Sequence, residues 1–357
     1  MSIAVIAITR NGAQLGQRLR DSLPDAVLYV SSRYAGQAGR ERTIFEPGDL
    51  AGLMATLWKQ HQGLICIMAT GIVVRMIAPL LESKVSDPAV VVMDDAGRFA
   101  ISLLSGHLGG GNELAERSAF ITGSRPVITT ATDANNLPSF DMLAKEQGWI
   151  IEDVSRVKSL NRLLLDNEEI AVVDPSGQTR SWFHGRGRLV FHDTIAAALS
   201  SPARGFLFVT NRHLPPQAQR PDLLVLRPRN LVLGIGCNRG TPAEEIESFV
   251  TGHLKRIFLS ISSVRMIATA AAKRDEAGLL EFASCCGVPL VSFESSELNQ
   301  VAVPSPPSAH ALAAIGANGV AEPAAILASG GGMLLLKKVK SENVTLAVAE
   351  QFGTVSA

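Results

Sequence analysis

The sequence is poor in aromatic residues and has no excess of either charge. Aromatic residues make up 5% of the 357 positions, and 33 Lys and Arg residues balance 33 Asp and Glu residues. Single-stranded nucleic acids are bound by aromatic stacking in a basic groove, and long-range attraction of polyanions needs an excess of positive charge. The composition therefore argues against a nucleic acid partner, and an acidic ligand would need a local basic pocket.

Cysteine and histidine are sparse, and their spacing matches no common metal motif. The four cysteines show no Cys-x-x-Cys spacing, and the seven histidines show no His-x-x-x-His or His-Glu-x-x-His spacing. We therefore expect no metal bound by the protein itself. Because two cysteines are adjacent and two lie beside apolar runs, reduced structural thiols are the favoured interpretation. They are Cys66, Cys237, Cys285 and Cys286.

Long apolar runs and a signal peptide are also missing. No apolar run reaches the length of a membrane span, and the segment Met1–Ile6 leads directly into a strand-like run without a basic region or cleavage site. We therefore expect a cytoplasmic protein without membrane contact. Hydrophobic residues at 46% and charged residues at 18% allow a sizeable core, and the length predicts two or three domains.

Apolar runs alternate with helical periodicity at both ends of the chain. The runs Ile3–Ile8 and Leu64–Met68 predict buried strands. Ala89–Met93 and Phe99–Leu103, joined by Asp-Asp-Ala-Gly, predict a β-hairpin. This alternation is typical of the α/β class with a largely parallel sheet.

The region after Gly148 differs, because short strands and turn-rich links replace the long alternation. It contains no recognisable chemical constellation and is interpreted as a spacer or dimerisation domain, with His184 at an exposed hairpin tip. We predict two α/β domains with largely parallel sheets, residues 1–148 and 229–357, joined by a small α/β middle domain, residues 149–228.

The stretch from Met68 to Asp133 carries the densest loop chemistry. Three of its apolar runs end in small or glycine-rich turns, and we expect these strand ends to face one ligand. Four of the six positions from Gly106 to Gly111 are glycine, which costs backbone entropy. A binding or catalytic loop is favoured over a turn crowded by helix–strand packing, and both interpretations stay open.

A second glycine-rich loop follows the apolar run that begins at Leu231. Thr241 and Glu244 have the spacing of a capping box, with Pro242 between them. The pattern Gly-x-Gly-x-x-x-Gly in 234–240 departs from the dinucleotide fingerprint, and no acidic residue follows at the expected place. A nucleotide-dependent transferase that binds phosphate here is therefore a rival interpretation with weak support.

Several motifs resemble one known family when they are taken in order. In the first half they are Ala69–Arg75, Lys84 with Asp87–Val92, Ile101–His107, Gly109–Gly110 with Asn112–Ala115, and Thr129–Asp133. In the last third they are Leu233–Cys237, Ile267–Thr269 with Lys273, and Val320–Ala325. The chain resembles the cobalamin-biosynthesis family CbiG, and its last third is similar to CobE of the aerobic route.

The resemblance implies a cobalt-precorrin-5A hydrolase of anaerobic cobalamin biosynthesis. In that reaction water opens a δ-lactone on ring A of a cobalt-bound macrocycle, and C20 leaves with its methyl group as acetaldehyde to give cobalt-precorrin-5B. The cobalt belongs to the substrate, so no cofactor of the protein is expected. A homodimer and transient contacts with neighbouring pathway enzymes are left open. A non-catalytic cobalt-tetrapyrrole carrier is the alternative function.

Lactone opening needs a base for water and donors for the oxyanion. No activated serine or Cys–His pair is recognisable, so direct attack by water is expected. We predict His107 as the base because its unperturbed pKa of about 6.5 suits the task; the alternative is a histidine that only holds the turn. Glu113 or Asp133 would be the orienting or alternative carboxylate, unless they only stabilise a helix start and an Asx turn.

The many carboxylates of such a substrate require cations at the site. Each cationic side chain has the alternative of being a solvated surface charge, and the backbone N–H groups of the glycine loop would bind the oxyanion. The predicted substrate-binding residues are Thr70, Gly71, Arg75, Lys84, Ser105, Gly109, Gly110, Gly111, Gly236, Arg239 and Lys273. We expect the two α/β domains to close jointly over the flat macrocycle.

Overall fold

The computed structural model describes residues 1–39, 42–83, 86–214 and 220–351. The chain folds as two compact units, Met1–Met142 and Leu143–Ala357. The described residues form three mostly parallel sheets with helices between the strands, which confirms the predicted α/β class. The predicted division into three domains at residues 148 and 228 stays a prediction.

The first unit alternates strands and helices from its first residues onward. Its strands are β1 (Ile3–Ala7), β2 (Ala26–Ser31), β3 (Thr43–Phe45), β4 (Gly63–Ile67), β5 (Ala89–Met93), β6 (Phe99–Leu104) and β7 (Arg125–Val127). Its helices are α1 (Arg10–Ser22), α2 (Leu50–Gln60), α3 (Thr70–Ile77), α4 (Gly111–Thr122), α5 (Ala131–Ala134) and α6 (Phe140–Gln147), which runs past the end of the unit.

These strands form one sheet in the order β3-β2-β1-β4-β5-β6-β7. β1, β4 and β5 are buried along their whole length, because helices cover both faces of the sheet. Apolar side chains of α1 and α4, such as Leu19 and Leu114, pack on one face. Those of α2 and α3, such as Met54 and Val73, pack on the other.

The predicted hairpin between β5 and β6 is confirmed, and it reverses the direction of the chain. β5 runs parallel to β4, whereas β6 is antiparallel to β5 and parallel to β7. The Asp94 carboxylate holds the turn by accepting the N–H groups of Ala96, Arg98 and Phe99 at 3.1, 2.9 and 2.8 Å. β6 and β7 therefore end at the edge where β4 and β5 begin.

This reversal contradicts the expectation that three strand ends face one ligand. The segment after β4 leads into α3 at one edge, while the glycine loop after β6 lies at the opposite edge, where Leu104 is paired with Val90. A five-residue strand such as β4 separates the two edges by roughly 15 Å, at about 3.3 Å per residue.

The second unit contains two sheets. The strands of the first sheet are β8 (Ile150–Ile151), β9 (Ile170–Val173), β10 (Leu189–Phe191), β11 (Gly205–Val209) and β12 (Leu223–Arg227). The strands of the second sheet are β13 (Leu231–Cys237), β14 (Val264–Ala270), β15 (Leu290–Phe293), β16 (Met333–Lys340) and β17 (Val344–Glu350). The helices are α7 (Val154–Leu165), α8 (Gln178–Phe183), α9 (Ile195–Leu199), α10 (Ala243–Arg256), α11 (Ala277–Cys286), α12 (Ser295–Asn299), α13 (Ala309–Ile315) and α14 (Ala321–Ala328).

Their strand orders are β10-β9-β11-β12-β8 and β15-β14-β13-β17-β16. In the second sheet β13, β14 and β15 are parallel, and β17 is antiparallel to β13. The small helix α14 lies so close to β13 that a Cβ atom at Gly234 would be 1.8 Å from the carbonyl oxygen of Ala321. Only glycine allows this approach.

Two local predictions are wrong. Thr241 does not cap α10; its hydroxyl donates to the carbonyl of Asn238 at 2.9 Å, and Pro242 is the N-cap residue. His184 is the left-handed C-cap of α8 and not a hairpin tip.

Replacing Gly234 by alanine tests the contact between β13 and α14. We expect G234A to lower the free energy of unfolding by about 1–3 kcal/mol or more, because backbone atoms must move to admit the methyl group. The control is G252A in α10, where nothing lies within 4 Å of an added Cβ and alanine favours the helix by up to about 1 kcal/mol. Urea unfolding measures both, and equal effects would contradict the packing argument.

Candidate active site

The glycine loop between β6 and α4 is a tightly crowded turn. Added Cβ atoms would lie 2.4 Å from the Ser105 Cβ at Gly109 and 2.6 Å from the Leu104 carbonyl oxygen at Gly111. Gly110 has a left-handed backbone with φ of 83°, which glycine adopts without strain. Close packing thus accounts for these glycines, and the turn fixes the backbone that carries His107.

His107 lies between two aspartates, one at each ring nitrogen. Its Nε2 is 2.7 Å from Asp133 Oδ2, and its Nδ1 is 3.2 Å from Asp141 Oδ2. The exposed fractions of the side chains are 13% for His107, 45% for Asp133 and 8% for Asp141. The three groups therefore form a carboxylate–imidazole–carboxylate row that begins in the interior and ends at an exposed carboxylate.

Asn112, in the first turn of α4, orients the exposed end of this row. Its Oδ1 accepts the Ser102 hydroxyl at 2.7 Å, and its Nδ2 donates to Asp133 Oδ2 and to Thr130 Oγ1, both at 3.1 Å. Because Asp133 Oδ2 is bound by both His107 and Asn112, the other oxygen, Oδ1, is left for a ligand; among the described residues it has no hydrogen-bond partner.

Two hydroxyl groups complete the surroundings of the imidazole. Thr132 Oγ1 lies 3.2 Å from Nε2, and Ser139 Oγ lies 3.5 Å from Nδ1. Both residues are buried, with exposed fractions of 4% and 2%. The ring is therefore enclosed by polar partners on the α5 and α6 side of the loop.

The two carboxylates favour the protonated imidazole. The hydrogen bond to Asp141 raises the pKa of His107, and although burial lowers it, the hydrogen bond to Asp133 and the charges of both carboxylates raise it further. The pKa of His107 therefore lies above the unperturbed value of about 6.5 on which the sequence prediction rested. With both ring nitrogens facing carboxylate oxygens, His107 is suited to hold and donate a proton.

The residues predicted at the end of β4 do not join this site. Thr70 and Gly71 begin α3 at the opposite edge of the sheet, and the Arg75 guanidinium donates to the Gly71 carbonyl of its own helix at 2.9 Å. Lys84 lies outside the described residues. Thr70, Gly71 and Arg75 therefore do not lie close to His107, contrary to expectation.

The predicted residues of the glycine loop have mainly structural contacts. Ser105 Oγ donates to the Asp87 carbonyl at 3.0 Å. The N–H groups of Gly110 and Gly111 already donate to the carbonyls of His107 and Ser105, at 2.9 and 3.0 Å. Of the three predicted oxyanion donors, Gly109 is the one whose N–H is not used by these bonds.

Glu113 is exposed in the first turn of α4, where a carboxylate interacts favourably with the helix dipole. The carboxylates whose oxygens contact the imidazole are Asp133 and Asp141. The structure therefore favours Asp133 over Glu113 as the partner of His107.

The predicted residues of the last third lie together at the carboxyl ends of β13 and β14. Lys273 Nζ is 3.0 Å from Glu276 Oε1, and both side chains are 15% exposed. The other oxygen of Glu276 accepts the Gly240 N–H at 3.2 Å, and Arg239 is exposed on the same loop. The hydrogen bond from Lys273 is the main cause that lowers the pKa of Glu276.

Gly236 at this edge is a packing residue, since an added Cβ would lie 2.6 Å from Thr345 Oγ1. Burial raises the pKa of the neighbouring Cys237 thiol to about 11 and that of Cys66 to about 12, and all four cysteines are free. Cys66 and Cys237 are buried, and Cys285 is exposed.

Sequence reasoning missed Asp141, Asn112, Thr132 and Ser139 as site residues. Asp141 is the most consequential, because it lies 34 positions from His107 and no motif spacing links the two. Its carboxylate in the first turn of a helix is indistinguishable in sequence from an ordinary dipole interaction. Asn112 had a signal, since it follows the glycine cluster directly.

Within the described ranges, no group of three or more His, Cys, Asp or Glu residues is arranged to hold a metal ion. No helix of those ranges combines the length and apolarity required to cross a bilayer.

Fold and geometry together define an α/β protein with a cluster of one histidine and two aspartates. Family models match most of the chain: Cobalamin synthesis G N-terminal over residues 52–133, Cobalamin biosynthesis central region over 138–228, and Cobalamin synthesis G C-terminus over 231–349. The chain belongs to the cobalamin synthesis G family, as the resemblance to CbiG predicted.

Named relatives agree with the family models. The chain is 39% identical to a cobalt-precorrin-5A hydrolase of Priestia megaterium, over 97% of this chain and 94% of that protein. It is 32% identical to a cobalt-precorrin-5A hydrolase of Salmonella typhimurium, over 97% of each. Its C-terminal part is similar to the protein CobE of a Sinorhizobium species, with 33% identity over 33% of this chain and 79% of that protein.

The raised pKa of His107 predicts how stability depends on pH. Because the pKa in the folded protein lies above the unfolded value of about 6.5, the His107–Asp133 ion pair stabilises fully below about pH 6.5 and is lost as pH rises through the folded-state pKa. We expect D133N to lower the free energy of unfolding by about 0.5–1 kcal/mol near pH 6, since Asp133 is half exposed.

The difference between the wild type and D133N should shrink as pH rises through the folded-state pKa of His107. Urea unfolding at pH 6 and at a series of higher pH values measures it. A difference that stays constant or grows with pH would contradict the assignment of the ion pair.

Proposed function

We propose that this chain is a cobalt-precorrin-5A hydrolase of anaerobic cobalamin biosynthesis. It opens the ring A δ-lactone with water, and the C20 fragment leaves as acetaldehyde to give cobalt-precorrin-5B. Similarity to the two named hydrolases over nearly the whole chain supports the activity. The observation that carries the site assignment is the row of Asp141, His107 and Asp133 with one exposed carboxylate end.

The charge of this site suits a lactone. Two carboxylates flank His107, and Asp133 is the exposed one. The acetate and propionate carboxylates of the macrocycle would be repelled here, whereas a lactone is a neutral ester. The hydrolysis product is a new carboxylate, and the same repulsion favours its departure.

In the proposed first step, Asp133 and His107 act as a pair. Water attacks the lactone carbonyl carbon, and its proton passes to Asp133 Oδ1, the oxygen left for a ligand. The ring C–O bond then breaks with its electron pair on the departing oxygen, which takes the proton of the imidazolium at Nε2. Asp133 Oδ1 then gives its proton to solvent, and His107 takes one up at Nε2, which restores the pair at the 2.7 Å contact between Nε2 and Oδ2. The net change is one water added to the ester.

In the second step the hydroxyl freed by lactone opening gives its proton to Asp133, and the bond between C20 and the macrocycle breaks. C20 and its methyl group leave as acetaldehyde, and the macrocycle with its cobalt takes up the electron pair of that bond and a proton. In this proposal His107 and Asp133 share the role of base, which the sequence suggested for His107 alone. Support comes from the two ring nitrogens, each of which faces a carboxylate oxygen.

The developing oxyanion needs hydrogen-bond donors close to His107. We assign this role to the N–H of Gly109 and to the hydroxyl of Thr132, which lies 3.2 Å from Nε2. Among the cations of the last third, Arg239 is exposed and Lys273 is paired with Glu276. Arg239 is therefore our candidate for contact with a substrate carboxylate.

Cobalt enters with the substrate in this proposal, and the protein needs no cofactor of its own. Cytoplasmic location, a homodimer and transient contacts with neighbouring enzymes of the pathway stay predictions. The alternative of a non-catalytic carrier is separated from the enzyme by one measurement, the release of acetaldehyde on anaerobic incubation with cobalt-precorrin-5A.

Substitutions at the pair test the site assignment. We expect H107Q and D133N each to lower turnover by about 10²–10⁴-fold, the usual range for loss of an acid–base group. Acetaldehyde release and product mass measure this. E113Q should retain near-wild-type turnover, which separates Asp133 from the other carboxylate suggested by the sequence.

E116Q is the matched control, because Glu116 is an exposed carboxylate on the same helix, α4. Folded H107Q or D133N protein that releases acetaldehyde at the wild-type rate would remove that residue from the chemistry. Loss of activity in E113Q with normal turnover in D133N would reverse the assignment of the two carboxylates.

A further inference from the structure

The carboxylate at Nδ1 of His107 comes from a fixed and buried helix start. Asp141 lies in the first turn of α6. Ser139, two residues before it, accepts the Met142 N–H at its Oγ, at 3.4 Å. Ser139 and Phe140 are 2% and 0% exposed. The position of Asp141 is therefore set by its buried neighbours and does not depend on a ligand.

The two carboxylates at the imidazole differ in burial. Asp141 is 8% exposed and Asp133 is 45% exposed. Coulomb attraction between opposite charges is stronger at a buried group than at an exposed group, which water screens. Loss of the Nδ1 proton would leave the Asp141 carboxylate buried opposite a ring lone pair. Loss of the Nε2 proton removes one donor from the exposed Asp133, which keeps the hydrogen bond from Asn112.

We infer that Asp141 is a positioning residue that holds the proton on Nδ1 of His107, so that the ring gives and takes its mobile proton at Nε2, toward Asp133. Asp141 does not contact the reacting atoms in this scheme. It acts through His107, as a buried carboxylate acts through the histidine of a hydrolase triad. This inference rests on the proposed function for its catalytic meaning, but the tautomer of His107 is a property of the free protein.

The side chains that contact the imidazole ring come from the α6 side and from α5, and they support this assignment. Asp141 and Ser139 face Nδ1 from the α6 side, and Asp133 and Thr132 face Nε2 from α5. Asn112 of α4 binds Asp133. The charged groups whose contacts are described at the ring are the two aspartates, so the difference in their burial decides which proton stays.

The first test uses the wild-type protein and needs no activity. Nitrogen-15 spectra of histidine-labelled protein report which ring nitrogen carries the proton, and the His107 signal is assigned by its loss in H107Q. We expect His107 to keep its proton on Nδ1 when the imidazolium titrates. A neutral ring that carries its proton on Nε2 would overturn the inference, whatever the behaviour of the variants.

The second test replaces Asp141 by asparagine, which keeps the shape and removes the charge. In D141N we expect the pKa of His107 to fall and kcat for acetaldehyde release to drop by about 10²-fold or more, with KM little changed because Asp141 does not touch substrate. The matched control is D87N: Asp87 is a buried aspartate like Asp141, and its carboxylate accepts the Glu82 N–H. D87N should leave the pKa of His107 unchanged.

The outcomes separate the two proposals. A folded D141N protein with the wild-type pKa of His107 and the wild-type kcat overturns the positioning role. An equal fall of that pKa in D87N overturns it as well, since general loss of buried charge would then be the cause. If D141N changes the pKa as expected while H107Q still releases acetaldehyde normally, the positioning role stands and the proposed active site fails.

Discussion

The antiparallel pairing of β5 with β6 is the constraint on which the site of the first unit depends. The turn is built around Asp94, whose carboxylate accepts the N–H groups of Ala96, Arg98 and Phe99. A crossover to a parallel strand would have sent the glycine loop to the edge where β4 ends. The hairpin instead places His107 beside the start of β5, where Ser105 binds the Asp87 carbonyl.

The second determinant is the gradient of solvent exposure along the row of Asp141, His107 and Asp133. Coulomb attraction between opposite charges is stronger in the interior than at the surface. The buried Asp141 is therefore screened less than the exposed Asp133, although the contact with Asp133 is the shorter one, 2.7 Å against 3.2 Å. A symmetrical pair of exposed aspartates would raise the pKa of His107 in the same direction, but it would not fix the nitrogen that exchanges its proton. Because the two aspartates differ in burial, the proton on Nδ1 is retained and the proton on Nε2 is exchanged.

Glycine clusters carried different meanings in the sequence and in the structure. In both units the glycines allow backbone segments to approach: Gly109 and Gly111 beside Ser105 and Leu104, and Gly234 beside Ala321. Crowding and ligand binding give the same sequence signal, because both require a residue without a side chain. Only coordinates separate them. The sequence likewise did not show which cationic side chains are free to bind a ligand. Lys273, for example, forms an ion pair with Glu276.

The sequence by itself determined the α/β class, the hairpin after β5, most strands and helices, and the family. These follow from local patterns: apolar runs, turn chemistry and contiguous motifs. Tertiary structure decided which residues accompany His107. Asp141 and Asp133 reach it from 34 and 26 positions away, and Thr70 is removed from it by one strand reversal. Local patterns do not encode such distances, because the direction of each strand and the burial of each carboxylate arise only when the sheet is assembled.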